Sequence, residues 1–367
     1  MSDAGLYVHV PFCLTRCGYC DFNAYADLDG LKPRYVGALQ REASLAAAEW
    51  PERFVSIFLG GGTPTSLDPS HLASTLVHLR REFDVVPDAE VTIEANPDTV
   101  DAERLRALRA AGYTRLSMGA QSFDTTVLVA LERIHQPESV RAASAAAREA
   151  GYRNVNLDLI YGADGESLAS WRRTLEETIA LGPEHVSAYA LTIEPATPLG
   201  RKVAAGIVPA PDPDLQADMF ELACELLGRE GYLHYEVSNW AKPGFECRHN
   251  LGYWERRPYL GLGAGAHSSR GNRRWWNLRR PEQYLEAVEE GMLPIGGSED
   301  LDDAGRDLEE TFLRLRTSEG VPVRTISEAA AKPYLERGLL ARRNGDLVAT
   351  EQGMLLLNEL VLGLTAS

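Results

Sequence analysis

Short apolar runs alternate with amphipathic stretches over the first two thirds of the 367-residue chain. The apolar runs predict strands at 6–10, 55–59, 90–94, 115–119, 154–160 and 185–190. The stretches between them predict helices at 33–48, 69–82, 102–111, 139–150 and 168–180. Strands that alternate with helices of this length form βαβ units around a parallel sheet. We therefore predict an α/β fold in which these units make a partial (β/α)6 barrel.

Polar and glycine residues come at or just after the ends of these predicted strands, at 60–63, 94–96, 119–121 and Asp158. In βα architectures the functional site lies at the carboxyl ends of the strands. The pattern therefore predicts one site that is assembled from several strand ends.

The pattern changes after the proline-rich stretch 208–213. Helices are predicted at 281–290, 302–315, 326–337 and 351–364, and two strands flank a turn at Asn344 and Gly345. Helices combined with a small hairpin indicate a winged-helix-like unit. We predict two domains, a barrel at 1–278 and a C-terminal helical, winged-helix-like domain at 279–367.

The balance of acidic and basic residues limits the kinds of molecule that this chain can bind. The chain carries 53 acidic and 37 basic residues, a net charge of −16. A general nucleic-acid-binding protein has a basic surface, so this balance argues against one. The N-terminus has no basic segment followed by an apolar run, and no stretch approaches the ~20 apolar residues of a membrane span. We expect a cytoplasmic protein that does not bind nucleic acid.

Three cysteines, Cys13, Cys17 and Cys20, have the spacing C-x3-C-x2-C directly after the first predicted strand. Three thiolates in one short loop can hold a [4Fe–4S] cluster and leave one iron open. That iron can take an exchangeable ligand, here the amino and carboxylate groups of S-adenosylmethionine. The alternative is a structural zinc site, which needs a fourth ligand. The other two cysteines are far away in the sequence, so His9 is the candidate for that ligand.

The cysteine loop and the segment 7–12 before it resemble the radical S-adenosylmethionine superfamily. More closely, the chain is similar to the anaerobic coproporphyrinogen-III oxidase family, with matching motifs from Tyr7 to His267 and a similar C-terminal domain. Within that family it resembles the haem chaperone branch. The resemblance implies a [4Fe–4S] cluster on the three cysteines and S-adenosylmethionine as a cofactor.

The resemblance also implies roles for the polar strand ends. Gln121 and Asp158 would bond the ribose, Glu94 the amino group or ribose, and Arg133 the methionyl carboxylate. Further contacts to S-adenosylmethionine are implied for Tyr7, Gly61, Gly62, Thr63, the backbone near Ala190, and His267. From the residues alone, a glycine loop can also be a plain turn, and a buried acid can be a satisfied core group or a helix cap.

Two departures from the oxidases of this family concern the beginning of the chain. The oxidases carry a further cysteine two residues after the third one, where this chain has Phe22. They also carry an N-terminal extension, whereas only six residues precede Tyr7. Both departures argue against oxidative decarboxylation of coproporphyrinogen III.

The segment H-N-x-x-Y-W, from His249 to Trp254, resembles the signature of the haem chaperone branch. Haem requires an axial ligand, an apolar surface and cations for its propionates. We predict His249 as the ligand and Tyr253 and Trp254 as contacts of the macrocycle. Basic residues nearby would pair with the propionates: Arg248, Arg256 and Arg257. The alternatives are a packed aromatic seam with His249 hydrogen-bonded inside it, and Cys247 as the ligand.

The sequence thus predicts a haem chaperone that holds haem and passes it to an acceptor protein, such as a respiratory enzyme. The alternative is a radical enzyme that decarboxylates coproporphyrinogen III to protoporphyrinogen IX or acts on another substrate. No catalytic residue is assigned, and whether the chain is an enzyme stays open. An electron donor, a homodimer and membrane association through a partner are further expectations.

Overall fold

The computed structural model describes residues 3–365, so residues 1–2 and 366–367 of the two predicted domains lie outside it. The strands are β1 (Asp3–Val10), β2 (Arg53–Gly61), β3 (Val85–Ala95), β4 (Arg115–Gln121), β5 (Val155–Tyr161), β6 (His185–Ala190), β7 (Leu233–Glu236), β8 (Asn239–Ala241), β9 (Tyr259–Leu262), β10 (His267–Arg270), β11 (Arg273–Asn277), β12 (Ile295–Asp300), β13 (Val321–Pro322), β14 (Leu340–Arg343) and β15 (Asp346–Ala349).

The helices are α1 (Lys32–Ala47), α2 (Pro69–Glu82), α3 (Ala102–Ala111), α4 (Thr125–Ala130), α5 (Pro137–Glu149), α6 (Leu168–Leu181), α7 (Pro198–Ala204), α8 (Pro213–Arg229), α9 (Arg248–Trp254), α10 (Pro281–Glu289), α11 (Asp303–Arg314), α12 (Glu328–Glu336), α13 (Glu351–Met354) and α14 (Leu357–Thr365). Among residues 3–365, no helix is long and apolar enough to span a membrane.

Strands β1 to β6 lie side by side in sequence order, and each pairs in parallel with the next. Helices lie between consecutive strands, so the predicted α/β fold of the radical S-adenosylmethionine type is confirmed. On β1, Leu6, Val8 and Val10 are buried in the hydrophobic core. Tyr7 and His9 alternate with them and therefore point to the opposite face of the sheet.

Capping residues fix the ends of several helices at the positions that the sequence predicts. Helix α2 follows Asp68, whose carboxylate accepts a hydrogen bond from the Ser70 N–H (2.8 Å). Helix α3 follows Asp101, which accepts from the Arg104 N–H (2.7 Å), and ends at Gly112 with φ of 111°. Aspartate before the first turn and a left-handed glycine after the last turn are common helix caps.

The sheet continues on both sides of the parallel strands. Beyond β6 lie β8 and β7, and beyond β1 lie β9, β10, β11 and β12. Strand β12 pairs with β11, and Tyr284 of α10 donates a hydrogen bond to Glu42 of α1 (2.7 Å). The main sheet therefore extends past the boundary predicted at residue 278. We propose that the two units divide after Asp300.

The C-terminal segment contains the small sheet β13, β15 and β14 together with helices α11 to α14. The predicted turn lies between β14 and β15, where Asn344 and Gly345 have φ of 51° and 91°. Positive φ at both positions is typical of a tight hairpin. The helix predicted at 351–364 is wrong as a single element, because α13 ends at Met354 and α14 begins at Leu357. After this interruption, α14 packs against α11 and α12.

Candidate cofactor site

A cavity of about 390 Å³ opens at the carboxyl ends of the parallel strands. Most of the residues predicted for the cluster and S-adenosylmethionine line it: Cys13, Cys17, Cys20, Gly61, Gly62, Thr63, Glu94, Gln121, Arg133, Asp158 and Ala190. We call this the first cavity. The structure thus brings together residues from all six parallel strands or the loops that follow them, together with Arg133.

The cysteine loop follows β1 and folds back beside it. The Cys13 N–H donates to the Tyr25 carbonyl (2.9 Å), which holds the two ends of the loop together. The thiols of Cys13, Cys17 and Cys20 are free and partly exposed. Burial raises the pKa of Cys13 and raises that of Cys20 to about 11, so deprotonation requires a cation beside the sulfur. Within residues 3–365, no three His, Cys, Asp or Glu side chains form a group that could hold a single metal ion, as distinct from a cluster of several irons.

Two acids, Glu94 and Asp158, line the first cavity. Asp158 accepts hydrogen bonds from the Ser117 hydroxyl (3.0 Å) and the Asn156 amide (2.9 Å). Glu94 accepts from the Gly61 N–H (3.1 Å). Burial, and secondarily the charge of Asp158, raise the pKa of Glu94 to about 8. A bound ammonium or hydroxyl group would compensate this pair, because desolvated carboxylates are stabilised by cations and hydrogen-bond donors.

Arg133 brings a cation next to the cysteine loop. Its guanidinium donates to the Cys17 sulfur (3.4 Å) and to the Gly119 carbonyl (3.1 Å). The Nε of Arg133 is buried and has no hydrogen-bond partner among the described residues. A buried donor without a partner is costly, so this guanidinium suits an anionic ligand such as a carboxylate.

Gln121 and Gly61 have unusual backbone conformations at this site. Gln121 has φ of 63° and lies at a register shift between β4 and β5. A left-handed conformation in a residue other than glycine is strained, and such strain often occurs at functional sites. At Gly61, φ is 113° and a Cβ would lie 2.5 Å from the His9 ring. Glycine is therefore required there by the neighbouring strand β1, and not only by a ligand.

Three predicted residues do not line the first cavity. Tyr7 and His267 border a separate cavity of about 590 Å³, which we call the second cavity. His249 borders a void of about 10 Å³, which is far too small for haem. The predicted contacts of Tyr7 and His267 with S-adenosylmethionine therefore have no counterpart in the first cavity.

His249 has no ring nitrogen free for iron. Its side chain is 3% exposed and stacks on Phe58. Nδ1 is hydrogen-bonded to the Ser56 hydroxyl (2.9 Å) and Nε2 to the Tyr253 hydroxyl (2.8 Å). This arrangement agrees with the alternative of a packed, hydrogen-bonded seam, and His249 as a haem ligand stays a prediction. The alternative ligand Cys247 is also fully buried, and its thiol donates to Glu90 (3.5 Å).

Comparison with known proteins identifies the family. The Radical SAM superfamily matches residues 7–178. The heme chaperone HemW of Mycobacterium tuberculosis is 44% identical over 364 residues, which cover 97% of this chain and 93% of that protein. The chain belongs to the HemW family of radical SAM proteins. The heme chaperone HemW of Bacillus subtilis is 34% identical over 367 residues and covers 96% of this chain and 97% of that protein.

A solved structure supports the fold of this HemW-family chain. The coproporphyrinogen III oxidase HemN of Escherichia coli, described as a radical SAM enzyme, superposes with a TM-score of 0.86. The match covers 99% of this chain and 90% of that one, at 24% identity. The resemblance predicted from the sequence is confirmed by the superfamily match and by the HemW relatives, at the level of both the superfamily and the branch.

Proteins of the radical SAM superfamily use a [4Fe–4S] cluster and S-adenosylmethionine. The lining of the first cavity fits this pair of cofactors, since it offers three thiols, a guanidinium with an unpartnered nitrogen and two desolvated acids. Sequence reasoning missed Tyr19 and Ser117, which also line this cavity. Ser117 lies in the predicted strand 115–119, and its alternation with the buried Leu116 and Met118 was the available signal.

Proposed function

We propose that this chain is a haem chaperone that binds haem and transfers it to an acceptor protein. The observation that carries the proposal is the match to HemW proteins along nearly the whole chain, 97% of it in one case. The relatives' names specify haem and a chaperone function, and a chaperone needs an acceptor. The first cavity supports the proposal, because its lining suits the cofactors of the superfamily.

We assign the cluster to the three cysteines of the loop, and S-adenosylmethionine to the strand ends beside it. Arg133 would pair with the methionyl carboxylate through its unpartnered nitrogen. Glu94 would hold the ammonium group, which would favour ionisation of a carboxyl whose pKa is about 8 without a ligand. Gln121 and Asp158 would accept from the ribose hydroxyls, and the backbone near Ala190 would line the adenine.

The chain's own residues place charged and polar side chains around the first cavity. When bound, the cluster and S-adenosylmethionine supply one-electron reductive chemistry. Thr63 donates to the Cys13 sulfur (3.7 Å), and Arg133 lies beside the Cys17 sulfur, so both side chains stabilise thiolate charge. Phe22 is 60% exposed and lines this cavity, so no further thiol stands at that position.

The test is to reconstitute the full chain anaerobically and to offer haem and coproporphyrinogen III in separate reactions. We expect stoichiometric haem binding, measured by absorbance, and transfer of that haem to an apo-haem protein. We expect no carbon dioxide from coproporphyrinogen III. Decarboxylation to protoporphyrinogen IX, or a failure to bind haem, would overturn the proposal. The electron donor, a homodimer, the absence of nucleic acid as a partner, the cytoplasmic location and membrane association through a partner stay predictions.

A further inference from the structure

The second cavity lies beside the first one, at the edge of the sheet that β9 to β12 form. Its volume of about 590 Å³ is in the range of pockets that enclose ligands of drug size and above. Tyr7 and His9 line it, and the ring of His9 lies against Gly61 of the first cavity. Glu309 and Leu313 of α11 also line it, so the C-terminal segment closes one side. The two cavities therefore share a thin wall.

Aromatic rings form much of the lining of the second cavity. Tyr253 and Tyr259 pack edge to face with their centroids 4.7 Å apart. Tyr7 lies nearby, and the ring of Trp276 lies 5.8 Å from that of His267. Rings arranged in this way offer flat apolar surface with polar edges, which suits a large planar ligand.

Guanidinium groups border the same cavity. Arg256 donates to Glu309 (2.8 Å), and Arg274 pairs with both Glu309 and Glu299. One glutamate thus serves two arginines, and Arg257, which pairs with Glu255, also lines the cavity. Arg256 also has φ of 54° at the end of α9, a position where glycine costs no strain. The chain therefore places an arginine here in a backbone conformation that disfavours a side chain.

His267 differs from the other histidine of this cavity. The His9 ring is hydrogen-bonded at both nitrogens, to the Tyr7 hydroxyl (3.0 Å) and to the Asn23 carbonyl (2.9 Å). The His267 ring is exposed to the cavity, and within residues 3–365 neither of its nitrogens has a hydrogen-bond partner. An imidazole with a free nitrogen, beside a flat aromatic lining and a cationic border, is the combination that haem requires.

We infer that the second cavity is the haem site, with His267 as the iron ligand, the tyrosines and Trp276 against the macrocycle, and Arg256 and Arg257 paired with the propionates. This inference rests on the proposed function, since it names where that cargo binds. It assigns His267 to haem instead of S-adenosylmethionine, and it removes His249 from the iron. The shared wall of Tyr7 and His9 places the cargo next to the cofactor cavity.

The experiment titrates ferric haem into the reconstituted full-length protein and follows the Soret band. We expect His267→Ala to move the band and to weaken haem binding by about tenfold or more, which corresponds to ~1.4 kcal/mol or more. Added imidazole should restore the band position in this variant, because it supplies the missing ligand. His71→Ala, on α2 and outside the lining of both cavities, is the matched control and should bind haem as the unaltered chain does.

The border is tested by Arg256→Gln, which should weaken haem binding about fivefold, against Arg273→Gln as an exposed control on β11. S-adenosylmethionine binding should stay unchanged in His267→Ala. A haem spectrum and affinity equal to those of the unaltered chain would overturn the inference, as would loss of S-adenosylmethionine binding alone. If the unaltered chain itself binds no haem, the proposed function fails, which is a different result.

Discussion

The two cavities of this protein are built from different kinds of structure. The first cavity lies at the ends of parallel strands, and its lining follows the order of the chain from the cysteine loop to β6. The second cavity is lined by β1, by the antiparallel edge of the sheet and by α9 and α11. The residues of the first cavity can be recognised from short sequence motifs. The residues of the larger second cavity come from scattered segments that share no motif. The predictions below separate the two cavities, beginning with the largest effect.

Cys17→Ala should abolish the cluster, because the remaining two thiols cannot hold the cubane with one open iron. Iron and sulfide content and the brown absorbance measure the loss. Cys224→Ala on α8 is the control and should keep the cluster, since Cys224 lines neither cavity. We expect haem binding to survive in Cys17→Ala. Its loss together with the cluster would contradict the separation of the two cavities.

Glu42 makes the stability of the folded chain depend on pH. This buried carboxylate accepts from the Gly263 N–H (2.8 Å), the Asn277 amide (2.6 Å) and the Tyr284 hydroxyl (2.7 Å). Burial raises its pKa from 4.5 to about 7. The folded chain therefore holds a proton that the unfolded chain releases, and its contribution to stability falls as pH rises from 4.5 to 7.

The free energy of unfolding that Glu42 contributes should fall by at most about 3 kcal/mol between pH 4.5 and 7, since one pKa unit corresponds to ~1.4 kcal/mol. Urea unfolding of the unaltered chain and of Glu42→Gln measures it. The difference between the two free energies of unfolding should change over this range. A constant difference from pH 4.5 to 7 would show that Glu42 titrates normally.

Gly61→Ala should destabilise the wall between the cavities. The new Cβ would lie 2.5 Å from the His9 ring, and φ of 113° disfavours a side chain. Gly151→Ala is the control, with φ of 85° and open space around the added carbon. We expect the wall variant to lose about 2 kcal/mol more of unfolding free energy than the control, which loses about 1 kcal/mol. Equal losses in denaturant unfolding would mean that His9 moves aside freely.

The smallest expected effect on the free energy of unfolding comes from comparing His249 with His267, to which we assign different roles. His249→Ala removes a buried ring with two hydrogen bonds, so the free energy of unfolding should fall by about 2 kcal/mol. His267→Ala removes an exposed ring without such bonds and should change it by less than about 0.5 kcal/mol. Denaturant unfolding of both variants without haem measures this. A larger loss of unfolding free energy in His267→Ala than in His249→Ala would contradict the assignment of His249 to packing and of His267 to ligand binding.

Much of the parallel part of the main sheet could be predicted, because its strands are short apolar runs between capped amphipathic helices. Strand β6 has the predicted bounds 185–190, and α2 and α3 have theirs. Strands β7, β8, β9 and β12 were not predicted, since they are short and rich in polar, glycine or aromatic residues, and β9 pairs with β1 at the other end of the sequence. The helix predicted at 351–364 failed because a continuous apolar pattern does not reveal where tertiary packing interrupts it.

The sequence by itself determined the α/β class, the superfamily and the cysteine loop, because spacing and periodicity are local properties of the chain. Only the tertiary structure decided which polar residues share a cavity. Tyr7, His249 and His267 looked alike as candidates, yet one lies in a wall, one is buried with both nitrogens bonded and one faces open space. Their surroundings come from strands and helices distant in sequence, and burial and hydrogen bonding, which set what a side chain can bind, depend on those contacts.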